Sequence, residues 1–279
     1  MRTAYLFISV CIGISSFCSC QEDKRLFRLT VSVEPLRYIV EYLAGDRFEA
    51  TTLTPENENP ETYTPTSQQM ERLSEGVAYF RMGTLGFEST QLRKIAAYRP
   101  HQYIVNASER IPPLPHCNSC QDGGDPHTWM SPRNMKLISE NICLALCKID
   151  SAHTKEYRKR LDDFHVHVDS LDALLQQLTD TLTTRSFLIN HPSLAYFSND
   201  YGLHQLGIEY GGEDDAPVHM QQLEQKARNL QVRVVFVQKQ HSDRAAVAMA
   251  EKMGLDTIII NPLAYDWDQE ILKIARALR

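Results

Sequence analysis

The stretch Gly124-Asp125-Pro126-His127-Thr128-Trp129-Met130-Ser131-Pro132 puts one imidazole on a loop fixed from both sides. Pro126 biases Asp125 toward extended backbone. Ser131 is a good N-cap and Pro132 suits a first helical position, so a helix starts four residues after His127. An imidazole held in this way can ligate a metal or move a proton, or it can be a satisfied bystander; its partners decide. Three other residues are candidates. Glu61 lies in the polar, proline-punctuated loop Thr54 to Pro65, His191 precedes Pro192, and Asn261 precedes Pro262. Two nitrogen and two oxygen donors around one point suit a borderline divalent cation such as zinc or manganese. Asn261 is the weakest member, because asparagine before proline is also ordinary turn chemistry.

The elements must bring these four together. Alternating, β-prone residues predict strands at 27–33, 49–53, 77–82, 103–106, 186–190, 205–210, 232–237 and 257–260. Helical periodicity and caps predict helices at 35–44, from Thr66 or Ser67 to 75, at 88–97, from Ser131 to Ile149, and at 193–201, 219–230, 242–253 and 267–278. Such alternation argues for parallel sheets covered by helices. Between the two runs, 151–183 contains neither Gly nor Pro. Its apolar residues Tyr157, Leu161, Phe164, Val168, Leu171, Leu175, Leu178 and Leu182 form one narrow helical stripe. That predicts a rod of about 50 Å, with His165 and His167 as solvent residues on its polar side. A coiled-coil dimer competes, because the stripe is heptad-like. The favoured fold is α/β: an N-terminal lobe at 27–150, a linking helix at 151–184 and a C-terminal lobe at 185–279. In open α/β sheets ligands bind beyond the carboxyl ends of strands. Glu61, His127, His191 and Asn261 each follow such an end, two per lobe, so a metal between them would tie the lobes together.

The chain has 279 residues and a net charge of −6, so nothing suggests a nucleic-acid surface. Arg2 and the apolar run Ala4 to Ile14, then Ser15-Ser16-Phe17-Cys18-Ser19-Cys20, read as a signal at 1–19. This resembles a bacterial lipoprotein signal, with Cys20 the lipidated residue and 20–26 a tether; Cys18 is the runner-up, and a plain secretory signal is the alternative. No other run is long and apolar enough for a transmembrane helix. Cys143 and Cys147 sit on the helix after Ser131 and read as small buried hydrophobes. Cys117 and Cys120, behind His116, could form a disulfide or collect metal, and spacing does not separate these. Glu213, Asp214 and Asp215 form an acidic turn that a permease could meet, although a solvated turn is the plainer reading.

Together the motifs Asn59-Pro60-Glu61-Thr62-Tyr63-Thr64-Pro65, Gly83-Thr84-Leu85-Gly86-Phe87-Glu88, Asp125 to Pro132, Asn190-His191-Pro192 through Tyr196-Phe197, and Asn261-Pro262-Leu263 resemble, in order, one family. It is the zinc- and manganese-binding solute-binding proteins of metal ABC importers, here closest to the zinc-type branch. The resemblance implies two (β/α) lobes bridged by a rigid helix and a metal buried in the cleft. It also implies a monomer in the bacterial cell envelope that delivers its ion to an ABC permease membrane subunit. Two positions depart from the family pattern. Glu61 stands where the first ligand is usually histidine, and Asn261 where a C-lobe aspartate is usual. One negative charge is kept but moved between lobes, which softens the site toward oxygen: zinc first, manganese or iron next.

Two other functions compete. A metalloenzyme could use two histidines and a glutamate with an open fourth position. Against it, the chain has no His-Glu-x-x-His helix, so no enzyme is expected. An adhesion or interaction lipoprotein with a structural metal is the other, distinguished by metal that does not exchange.

Overall fold

The computed structural model describes residues 27–90, 102–114, 124–209, 217–241 and 244–279. The expected signal and tether with Cys20, the loop bearing His116, Cys117 and Cys120, most of the helix expected at 88–97, and the acidic turn Glu213 to Asp215 lie outside the described residues.

Strands β1 (Phe27–Val31), β2 (Phe48–Thr52), β3 (Ala78–Arg81) and β4 (Tyr103–Asn106) form a parallel sheet in the order β2-β1-β3-β4. Strands β5 (Ser186–Ile189), β6 (His204–Gly207), β7 (Val234–Gln238) and β8 (Asp256–Ile260) repeat that order as β6-β5-β7-β8. In-register parallel pairing, Val31 opposite Phe80 and Ile189 opposite Phe236, brings the carboxyl ends of neighbouring strands to one edge. In each sheet the chain moves outward from its first strand, then crosses back, which opens a crevice at those ends.

Among the described residues the helices include α1 (Glu34–Ala44), α2 (Ser67–Glu75), α3 (Pro132–Ile149), α4 (Thr154–Asp180), α5 (Ala195–Tyr201), α6 (Pro217–Asn229), α7 (Arg244–Met253) and α8 (Trp267–Ala277). None among the described residues is long and apolar enough to cross a membrane. Helix α1 stops at Gly45, whose φ of +59° suits glycine, and an added Cβ would lie 2.7 Å from Arg160 Nη1.

Helix α4 is the long rod, about 40 Å over its 27 residues. Its stripe residues Tyr157, Phe164, Val168, Leu171 and Leu175 are buried in the same core as α1, α3 and α8. The chain therefore covers its own stripe, and no coiled-coil partner is required. Two expectations for the rod are corrected. It begins after a 3-10 turn at Ser151–His153 and ends at Asp180, inside the 151–184 span. His165 and His167 are half-buried: His165 Nε2 lies 3.2 Å from Ser139 Oγ on α3, and His167 Nε2 lies 3.0 Å from Asp268 Oδ2 on α8. Period alone could not show that α8 would cover the flank of the stripe.

The late start has a physical cause. Asp150 stops α3 and gathers Arg47 Nε (2.8 Å), His153 Nδ1 (2.9 Å) and Tyr157 Oη (2.6 Å) on its carboxylate. Burial works against the charged form, but these hydrogen bonds outweigh it and hold the group near 2, below the ordinary 3.8. A depressed carboxylate contributes stability above its unfolded pKa and loses it as pH falls through the folded value. Asp150→Asn is therefore expected to cost about 1–2 kcal/mol at pH 7. In urea unfolding the difference from wild type should shrink between about pH 4 and pH 2.

Candidate metal centre

The loop after β2 is stiffened by its own hydrogen bonds. Glu58 N donates to Pro55 O (3.0 Å), Glu61 N to Asn59 Oδ1 (2.9 Å), and Tyr63 N to Asn59 O (2.9 Å). Gln69, inside the capping box of α2, fastens both ends: its Oε1 accepts from Tyr63 Oη at 2.8 Å and its Nε2 donates to Leu53 O at 2.8 Å. Glu61 is thus presented on a turn with little freedom.

The His127 loop is held by the turn after β3. Glu88 is 1% exposed, and its carboxylate accepts from Ser32 Oγ, Met82 N (2.7 Å) and Gly83 N (2.6 Å). Burial raises its pKa against the pull of these donors. Gly83, at φ +97°, lets the chain turn there, since a Cβ would meet the Asn106 side chain at 2.0 Å. The same turn carries Thr84, whose Oγ1 donates to Pro126 O at 2.8 Å. Farther along, Ser108 Oγ and Thr128 Oγ1 are 2.7 Å apart, and Ser131 Oγ caps α3 by accepting from Asn134 N at 3.0 Å. Two indoles then link the lobes: Trp129 Nε1 donates to Pro262 O and Trp267 Nε1 to Trp129 O, both at 2.8 Å.

With these supports, three of the four expected residues converge. Glu61 Oε1 lies 3.4 Å from His127 Nε2 and 3.2 Å from His191 Nε2. These spacings match the edge of a tetrahedron with bonds of about 2.0–2.1 Å, roughly 3.3–3.4 Å. His127 and His191 are 3% and 6% exposed, from opposite lobes. Behind each ring stands a carboxylate. His127 Nδ1 is 3.0 Å from Asp125 Oδ1, and His191 Nδ1 is 2.7 Å from Glu209 Oε2. That arrangement sets the tautomer and keeps Nε2 as the inward nitrogen. Three carboxylates around two imidazoles also favour a cation.

The fourth expected residue, Asn261, is held by an amide network. Its Oδ1 accepts from Gln240 Nε2 (2.7 Å) and Leu263 N (3.2 Å), and its amide nitrogen donates to Glu56. A second trio, His191, Glu209 and His241, also lies within metal-ligand reach. There the rings of His191 and His241 stack at 3.9 Å and 16°, each with Nδ1 toward Glu209. In-plane lone pairs of parallel rings do not converge on one point, so this trio reads as a clamp on His191. Burial opposes a charged His191, but its hydrogen bonds to Glu209 and Glu61 outweigh it and raise its pKa to about 9. For Glu209 burial acts upward, and the bonds to His191 and His241 take it down to about 2.

Residues 29–273 match the family described as ZnuA, the periplasmic component A of zinc-uptake complexes. The chain belongs to this family. A crystal structure of ZnuA superposes with a TM-score of 0.85 at 32% identity, covering 90% of this chain and 97% of the other. A Chlamydia trachomatis relative, whose given name speaks only of metal binding, is 28% identical over 99% of both chains. The manganese-binding lipoprotein MntA of Halalkalibacterium halodurans is 25% identical over 91% of this chain and 87% of its own.

Sequence reading missed Glu209, His241 and Glu56. The first two follow β6 and β7, so the strand-end rule could have found them; Glu56 resembled any loop carboxylate. Asp125 was quoted within its motif without a role. Cys143 is buried and Cys147 half-buried, both as free thiols. Burial and the neighbouring thiol push Cys143 up to about 12, so it is not a ready thiolate ligand.

An imidazolium at His191 must lose a proton before its Nε2 can bind a cation. Below about pH 9 metal binding should therefore release about one proton per ion. Calorimetry in buffers of differing ionisation enthalpy measures this number. Affinity should fall about tenfold for each pH unit below that value; pH-independent binding between pH 6 and 8 would contradict the assignment.

Proposed function

We infer that this chain captures zinc outside the cytoplasm and hands it to an ABC permease. Divalent-metal capture for an ABC importer is the work of the family; the choice of zinc and the ligand set are the reading offered here. One observation carries it: two imidazole Nε2 atoms from opposite lobes meet one carboxylate oxygen at 3.4 and 3.2 Å, and each ring is backed by a carboxylate. Glu61, His127 and His191 would be the ligands. Two nitrogens and one oxygen at tetrahedral spacing favour zinc over manganese, whose usual ligands are more oxygen-rich. Ligands drawn from both lobes suit cargo, because the ion completes a cleft that lobe movement can open.

Lipidation at Cys20 would tether the chain by the 20–26 segment at the envelope surface and keep a monomer near its permease. The chemistry argues for binding over catalysis: the inward carboxylate is itself a ligand, and those behind the rings are occupied by imidazole.

The test is competition binding of zinc and manganese to the metal-stripped mature chain. One exchangeable zinc per chain is expected, preferred over manganese. Glu61→Ala and His127→Ala should each weaken zinc by more than the ~10–100-fold that losing an outer partner costs. A preference for manganese would make this a manganese importer subunit, and indifference to both substitutions would remove the ligand assignment.

A further inference from the structure

The loop that presents Glu61 also reaches across the cleft. Asn261 Nδ2 donates to the Glu56 carboxylate, and Gln240 Nε2 donates to Glu56 O at 2.7 Å as well as to Asn261 Oδ1 at 2.7 Å. Both partners belong to the C-terminal lobe, on the segments that follow β7 and β8. We propose that Asn261 and Gln240 are positioning residues that latch Glu56, and through its stiff turn the ligand Glu61, over the metal.

The mechanical link is the internal hydrogen bonding of the turn. Pro55 O accepts from Glu58 N, Asn59 Oδ1 from Glu61 N, and Asn59 O from Thr62 N and Tyr63 N. A turn closed in this way moves as a unit, so fixing Glu56 fixes the direction of Glu61. Gln240 and Leu263 together place N–H donors on Asn261 Oδ1, which commits the opposite end of the amide to donation. An aspartate at 261 could not donate to Glu56, and its charge would repel that carboxylate across the cleft. The latch thus explains why an amide stands at 261: it acts through Glu56, while Glu61 supplies the ligand. Hydrogen bonds to a charged group are the stronger kind, so losing this one should be visible in the rate at which the ion leaves.

The proposal rests on Glu61 being a ligand, and the experiment separates the two ideas. The zinc-loaded mature chain is mixed with excess chromogenic chelator in a stopped-flow instrument and zinc release is followed. Glu56→Ala and Asn261→Ala should each speed release about tenfold, and the double variant no more than the faster single. Glu56→Gln keeps an acceptor for Asn261 and should stay near wild type, while Asn261→Asp should accelerate. Glu56 is exposed, so its variants test the latch without touching the core. An unchanged rate in Glu56→Ala overturns the latch. So does slower release in Asn261→Asp, which would mark residue 261 as a ligand. Undiminished zinc affinity in Glu61→Ala instead overturns the parent ligand assignment, whatever the other variants do.

Discussion

The cleft depends on a pair of indole hydrogen bonds that cross it. Trp129 donates to the Pro262 carbonyl and receives on its own carbonyl the N–H of Trp267. Both rings are essentially inaccessible to water, so each bond is made where an unmet donor or acceptor is costly. Trp129 lies two residues after His127, with ring centroids 5.2 Å apart, and Pro262 is the residue after Asn261. One clasp therefore sets the depth of the His127 loop in one lobe and the position of the Asn261 segment in the other. Behind it the long helix packs in a core shared by both lobes.

Within that frame the site is a problem of charge. His127 and His191 would repel one another if both were charged, and neither could be buried unpaired without penalty. The chain answers with Asp125 and Glu209 behind the rings and Glu61 between them. Hydrogen bonds to Glu209 and Glu61 outweigh burial and raise the His191 pKa to about 9. In the proposed reading a divalent cation would replace proton charge at the centre and leave the outer carboxylates in place. Capture and release would then depend on pH and on whatever moves Glu61 away from the two rings.

Much of this was legible in the sequence because it follows from short-range rules. Strand–helix alternation gave two parallel sheets, and the strand-end rule brought Glu61, His127 and His191 to one point. The signals that failed were those with partners distant in sequence. Nothing near Glu209 marks it as the partner of His191, 18 residues away in another loop. Nothing near Glu56 foretells an amide 205 residues later. Asn261 also follows a strand end, and nothing near it foretells that Gln240 and Leu263 set the orientation of its amide. The rod was placed within a few residues, and its start moved because Asp150 prefers three side-chain donors to one more helical turn. The Gly83-to-Glu88 motif proved structural: its carboxylate ties down the turn that holds the His127 loop.

The central claim is that two imidazoles and one carboxylate grip the ion. X-ray absorption at the zinc edge of the loaded mature chain tests it most directly. The account predicts a first shell of nitrogen and oxygen at about 2.0–2.1 Å, with outer-shell scattering from two imidazole rings and no sulfur. A sulfur shell near about 2.3 Å, or scattering from fewer than two imidazoles, would contradict it.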